Sequence, residues 1–264
     1  MPSAELRTDI PHSARIYDYV LGGKDNFEVD RAAAEKMLEG QPGLRTSMRA
    51  NRRFMVKAAR YLASRGIRQF LDIGTGLPTQ PNLHEVVQGV APDAKIVYVD
   101  NDPLVLVHAR ALLTPVGTGS VSYLEADLRA TDTIFAAKEI ADEFDLSQPV
   151  AVTLIAVLQH VTDEKQARGI VEGLMDRVPP GSALALTAVT TENDRHAGDH
   201  TVNTYNTSGV PVKPRTHDQV AALFGDLELV EPGVVFVHKW HPDDEDRAAD
   251  DKDVAMYGGV AFKR

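Results

Sequence analysis

Gln69-Phe70-Leu71-Asp72-Ile73-Gly74-Thr75-Gly76-Leu77-Pro78-Thr79 reads as a short buried strand that runs directly into a tight loop. Gly74 and Gly76 allow the backbone to turn at once and allow a ligand to approach it closely. Asp72 sets a carboxylate beside that loop, placed either to receive the ammonium of an amino-acid ligand or to brace the loop amides. Working outward, the next apolar run, Lys95–Val99, delivers Asp100. An acid at the tip of a second strand is placed to accept hydrogen bonds from both ribose hydroxyls of an adenine nucleoside. A third run, Val121–Leu124, leads into Glu125-Ala126-Asp127-Leu128, where Asp127 is placed to accept from an adenine amine. Each signal alone is weak, and the plainer reading has Asp100 and Asp127 only capping the helices that follow. In series, at three successive strand ends, they describe a nucleoside site.

The same alternation continues along the chain. Candidate strands are Gln69–Ile73, Lys95–Val99, Val121–Leu124, Val150–Ala156, Ala183–Val189, Leu227–Val237 and Gly258–Lys263. Helical patterns lie between the first five, at Leu83–Val90, Pro103–Leu113, Thr131–Ala141 and Lys165–Arg177. Asp102-Pro103 is a clean helix start, because Asp caps and Pro fits the first helical position. Alternating strands and helices predict an α/β, doubly wound sheet that binds ligands at the carboxyl ends of its strands. Residues 1–65 predict a helical extension built from Ser13–Leu21, Val29–Leu38 and Thr46–Ala63, with Ser13 and Thr46 as N-caps. Residues 66–264 predict the ligand-binding domain.

Composition narrows the function classes. The formal charge is −10, from 38 acids against 28 Lys and Arg, which disfavours a phosphate backbone as partner. The basic stretch Arg45–Arg65 spreads around its helix and reads as a solvated face. No apolar run is long enough for a membrane span, the N-terminus lacks the apolar core of a signal peptide, and there is no cysteine. Together these predict a cytoplasmic protein without membrane or nucleic-acid partners. A dinucleotide fingerprint would want Gly or Ala at position 79, where Thr79 follows Pro78.

With these motifs in hand, the chain resembles the actinobacterial S-adenosyl methyltransferase family once known only as a domain of unknown function. The resemblance runs through Pro11–Arg31 (PHSARIYDYVLGGKDNFEVDR), Leu44–Met55 (LRTSMRANRRFM), Gln69–Thr79, Val86–Leu113 and Tyr257–Lys263 (YGGVAFK). It departs after the fourth strand, where relatives often carry a His-Phe pair and this chain has Leu158-Gln159-His160. The resemblance implies a Rossmann-like class I methyltransferase fold, with a seven-stranded, mostly parallel sheet whose last strand is antiparallel. It implies S-adenosyl-L-methionine (AdoMet) at Asp72, Gly74, Asp100 and Asp127, with Thr75, Gly76, Asn101 and Leu128 beside them. The alternative is a non-catalytic protein that senses AdoMet or S-adenosylhomocysteine, which would have a closed pocket.

Around that site, Tyr17, Gly22, Gly23, Lys24 and Asn26 form a glycine-hinged polar segment within a helical lead. The expectation is a lid over the cofactor that includes Gly23, with Asn26 or Tyr17 contacting its methionine end and Arg49 meeting the AdoMet carboxylate. The plainer reading is a helix–helix turn with Asn26 capping the next helix. Asn51 belongs to the same wall. His160 is a candidate general base for the methyl acceptor. The run Thr190–Thr216 reads as a long polar loop that walls the acceptor pocket, with Tyr205 and Asn203 as contacts. His196, Asp199 and His200 lie in that run, but without a helix to align them no metal is expected. The acidic stretch Asp243–Asp253 reads as a solvated loop. The expected acceptor is a small molecule, and none of these motifs specifies its attacking atom or the oligomeric state.

Overall fold

A computed structural model describes residues 8–112 and 114–264. In chain order the elements are α1 (Ser13–Leu21), α2 (Glu28–Gly40), α3 (Leu44–Ser64), β1 (Gln69–Ile73), α4 (Leu83–Val90), β2 (Lys95–Asp100), α5 (Pro103–Leu112) and β3 (Val121–Glu125). There follow α6 (Thr131–Phe135), α7 (Lys138–Glu143), β4 (Val150–Leu154), α8 (Glu164–Asp176), β5 (Ala183–Val189), α9 (Arg195–Thr207) and α10 (His217–Ala222). The chain closes with β6 (Glu228–Leu229), β7 (Val235–Phe236), α11 (Asp244–Ala248) and β8 (Met256–Phe262).

The sheet runs β3-β2-β1-β4-β5-β8-β6, with β7 also paired to β8. Its first five strands are parallel, and β8 lies antiparallel between β5 and the two short strands. Eight strands replace the expected seven because Leu227–Val237 divides. Pro232 brings no N–H to a ladder, and two-residue strands remain on either side of it. Residues alternate between two cores, as a sheet covered on both faces requires. Leu71, Ile73, Val97, Val99, Val152 and Leu154 face one side. Phe70, Ile96, Tyr98, Ala151 and Ala183 face the other, under α3 and α4. Asp72 shares the parity of Phe70, which turns its carboxylate toward α3.

Several boundaries depart from expectation. His12, not Ser13, caps α1, its Nδ1 accepting from the Ala14 N–H, and Gly43 rather than Thr46 precedes α3. The pattern Thr131–Ala141 forms two short helices, α6 and α7, with extended backbone at Ala137 between them. Val150–Ala156 ends at Leu154, because Ala156 takes a left-handed backbone at φ 55°. Leu113, expected to end the fifth helix, lies outside the described residues. So do residues 1–7, the start of the expected extension and of the segment read for a signal peptide. The polar run after β5 contains α9, whose N-cap Asp194 accepts from Ala197 N–H. The acidic stretch holds α11, and its Asp246 is fully buried. Among the described residues, no helix is long and apolar enough to cross a membrane.

Candidate functional site

The loop after β1 is clasped to the end of β2. Gly74 and Thr75 both donate to the Val99 carbonyl, at 2.8 and 3.3 Å. Asp100 then ties loop to strand: its Oδ2 accepts from the Gly76 N–H and its Oδ1 from the Asp102 N–H, each at 2.9 Å. Capping of α5 falls to Asp102, which accepts from Leu104 N–H at 2.9 Å. Asp100 is therefore not spent as a helix cap. Gly74 and Gly76 sit at φ 75° and 67°, the left-handed region that glycine enters freely. A Cβ at Gly74 would lie 2.4 Å from Val157, so that glycine is required for packing. A Cβ at Gly76 would meet only Ala14, at 3.9 Å, so this turn faces open space.

That space is a cavity of about 410 Å3, within the roughly 300–1,000 Å3 of small-molecule sites. Asp72, Gly74, Thr75, Gly76, Asp100, Asn101 and Leu128 line it. Asp127 is not among its lining residues: half-exposed, it accepts from the Arg129 backbone at 2.8 Å and from its guanidinium at 3.2 Å. Ala126, Leu128 and Arg129 take its place on the wall. Asp72 is buried and accepts from the Thr153 hydroxyl at 2.5 Å. Burial pushes its carboxyl up to about 6, against the opposing pull of Thr153 and Arg52, with Asp100 adding to the rise. Burial also raises Asp100, against the two backbone N–H donors.

The second wall comes from the N-terminal helices. His12, Tyr17 and Asp18 line the cavity from around α1, and Asn51, Arg52 and Met55 line it from α3. Arg52 is the guanidinium on this wall, its Nη2 donating to the carbonyls of Thr79 and Pro81 at 2.6 and 2.7 Å. Arg49, expected in that role, is exposed and does not line the cavity. Gly23 and Asn26 are also absent from the wall. Asn26 Nδ2 donates to Asp18 Oδ2 at 2.9 Å and to the Gly23 carbonyl at 3.1 Å, so this pair braces Asp18 from behind.

The third wall follows β4. Ala156, strained at φ 55°, leads into a short turn of helix at Leu158–His160. His160 lines the cavity, and its Nδ1 sits 2.9 Å from the Pro211 carbonyl. A carbonyl only accepts, so Nδ1 carries the proton and Nε2 is left as a lone-pair base. Burial lowers the imidazole below its usual 6.5, with His12 and Arg129 adding to the fall against the Pro211 hydrogen bond. Tyr205, on α9, lines the cavity and has its hydroxyl pKa pushed up by burial. Asn203 is exposed on the same helix and absent from the wall. His200 Nε2 meets the Lys36 carbonyl at 2.8 Å. Among the described residues no group of three or more His, Asp or Glu gathers to hold a metal.

Comparison with known proteins adds an independent line. A family model described as S-adenosyl methyltransferase matches residues 1–264. A protein of the DUF574 family from Streptomyces avermitilis MA-4680 is 46% identical with a TM-score of 0.96, covering 98% of this chain and 100% of its own. A protein from Thermobifida fusca YX, described as a candidate methyltransferase, is 37% identical with a TM-score of 0.90, covering 100% and 98%. The magnesium protoporphyrin IX methyltransferase of Synechocystis PCC 6803, solved with bound AdoMet, shares the fold alone. It is 13% identical over 84% of each chain, with a TM-score of 0.51. None of the curated proteins matches the chain.

Proposed function

Since the chain belongs to the S-adenosyl methyltransferase family and is a methyltransferase that uses AdoMet, we propose that the cavity at the strand ends seats AdoMet against Asp100 and presents a small-molecule acceptor to it. The observation that carries this reading is Asp100, a buried carboxylate fixed by two backbone N–H groups on the cavity wall. Each of its oxygens retains a lone pair for a ribose hydroxyl. The donor set fits the rest of the molecule. Asp72 meets a cationic ammonium, Arg52 a carboxylate, and the open turn at Gly76 admits a ligand against the backbone. Ala126, Leu128 and Arg129 border the adenine end in place of Asp127. When bound, AdoMet supplies a methyl group on a positively charged sulfur that leaves as a neutral thioether.

The protein's remaining task is alignment and proton removal. Tyr17, Asn51 and Tyr205 close the cavity opposite the sheet, and His160 Nε2 takes the proton of an acceptor that must lose one. A protein that only senses the cofactor needs no room beside it, and a second cavity adjoins this one. Calorimetric titration with AdoMet, S-adenosylhomocysteine and NADH, alongside Asp100→Ala, tests the reading. Adenosyl ligands bind the native chain and lose at least tenfold in the variant. A preference for NADH would overturn the assignment.

A further inference from the structure

A smaller cavity of about 50 Å3 opens beside the main one. Tyr17, Asn51, Ala156, Gln159 and Tyr205 line both, so these five form the seam between them. Beyond the seam the walls are largely apolar, with Leu44 and Met48 from α3, Val189 from β5, Val202 from α9 and Met256 from β8. Among the described residues, no Asp, Glu, Lys, Arg or His lines this annex. Tyr17 and Tyr205 stay neutral, because burial pushes both hydroxyls up.

Three carboxamides in these walls have an atom without a partner among the described residues: Asn51 Oδ1, Gln159 Oε1 and Gln41 Nε2. The orientation of the first two follows from their neighbours. The Met48 carbonyl can only accept, so the Tyr17 hydroxyl donates to it at 3.1 Å and accepts from Asn51 Nδ2 at 3.0 Å. Asn51, 1% exposed, is thereby left with a bare carbonyl oxygen at the seam. Gln159 Nε2 donates to the Ala156 carbonyl at 2.6 Å, which leaves its Oε1 bare as well. Gln41 belongs to the annex alone. It is 3% exposed, and its Oε1 accepts from Thr201 at 2.6 Å while Nε2 has nothing to meet. Leaving a buried amide atom unpaired is unfavourable, so three around one small space mark a site that a ligand completes.

We propose that this annex is the methyl-acceptor site, and that it takes a compact, uncharged molecule presenting a hydroxyl at the seam, to the carbonyl of Asn51 or of Gln159, and a hydrogen-bond-accepting group to Gln41. The inference rests on the cofactor reading above. Two bare carbonyl oxygens require a donor, which excludes a carboxylate or phosphate at the seam. An ammonium supplies donors but finds no counter-charge in an apolar annex. A neutral hydroxyl carries no charge and one proton, which it donates to one of the two seam carbonyls. The space is a third of the ~150 Å3 that admits benzene in an engineered core, so only a few heavy atoms enter it. In turnover the hydroxyl oxygen gains the methyl carbon and the electron pair of the broken carbon–sulfur bond stays on sulfur. The hydroxyl proton leaves its seam carbonyl for Nε2 of His160, which lines the main cavity.

Saturation-transfer NMR and calorimetry on the full chain, preloaded with S-adenosylhomocysteine, test this with three probes of similar size. Hydroxyacetone is neutral and carries both groups, lactate is anionic and ethanolamine cationic. Hydroxyacetone binds at least tenfold more tightly than either ion. Gln41→Leu weakens hydroxyacetone at least fivefold and leaves S-adenosylhomocysteine affinity within twofold, which also shows that the variant folds. Equal binding of the three probes, no binding of hydroxyacetone, or an unchanged affinity in the variant overturns the inference. Failure of S-adenosylhomocysteine itself to bind overturns the cofactor reading and this inference with it, so the two failures are read apart.

Discussion

Asp72 is held in a conflict between its burial and its charge. Its folded pKa is about 6 against an ordinary 3.8, so the folded state binds the proton more tightly than the unfolded one. Stability therefore falls as pH rises between those values. The cost persists above about 6, at up to roughly 3 kcal/mol for a shift of this size. Asp72→Asn is expected to raise the melting temperature by several degrees at pH 7.5, to change it little at pH 4, and to weaken AdoMet in calorimetry. A second residue carries the opposite charge logic. His160 is lowered, so its neutral form persists through neutral pH and is lost only on acidification below 6.5. An imidazole NMR titration is expected to show Nε2 unprotonated at pH 7, with a midpoint under that value. Asp100→Ala removes an acceptor of hydrogen bonds worth about 1.5–3 kcal/mol each to a charged group, hence a loss of ten- to a hundredfold in S-adenosylhomocysteine affinity. Asp72 and Asp100 were legible because strand ends fix where their carboxylates go. The choice between Arg49 and Arg52 was not, because it depends on the phase of α3. Arg52 lies one turn beyond Met48 and beside Asn51, at the border of the buried stripe, whereas Arg49 turns outward.

At the scale of elements, the loop between β1 and α4 separates packing from binding within three residues. Gly74→Ala and Gly76→Ala meet the same backbone penalty, ~1–2 kcal/mol for an L-residue in the left-handed region. Only the first also drives a methyl to 2.4 Å from Val157. Denaturant unfolding is expected to show Gly74→Ala destabilised by more than Gly76→Ala. Gly76→Ala instead is expected to lose AdoMet affinity out of proportion to its stability, since its methyl enters the cavity. Equal losses in both measurements would contradict this division. Parallel strands and crossover helices were readable because apolar runs and their breaks carry the signal. Helix α9 was not. Its buried positions are Gly198, Thr201 and Thr204, small and polar residues that let it lie close to α2 without leaving an apolar stripe. His200 and Tyr205 thereby gain places that a loop would not give them. The split of Leu227–Val237 was readable from Pro232, which could not have served a continuous ladder.

Across the whole molecule, sequence charge gave a misleading picture of two solvated surfaces. The basic face of α3 and the acidic stretch before β8 meet each other. Asp246, fully buried, accepts from Arg53 Nε at 2.8 Å and Lys57 Nζ at 2.5 Å. Helix α11 is thereby pinned to α3, the helix that carries Asn51 and Arg52 into the site. This pairing links residues 189 or more positions apart, and no local pattern announces it. Burial alone would raise the Asp246 carboxyl, but the bonds from Lys57 and Arg53 outweigh it and hold it below 3.8. A depressed folded pKa contributes stability that is present above the unfolded value and lost as pH falls through the folded one. Asp246 therefore steadies the fold at neutral pH, where Asp72 strains it, and gives way only in acid. Asp246→Ala leaves Lys57 without its carboxylate and Arg53 with only the exposed Glu245, in a largely buried setting, a loss of about 3 kcal/mol. Urea unfolding at pH 7 is expected to show that loss, and at pH 3 the gap from the native chain narrows as the native carboxyl protonates. A gap that stays constant from pH 7 to pH 3 would mean that Asp246 acts through packing rather than charge, and that α3 is positioned by its apolar stripe alone.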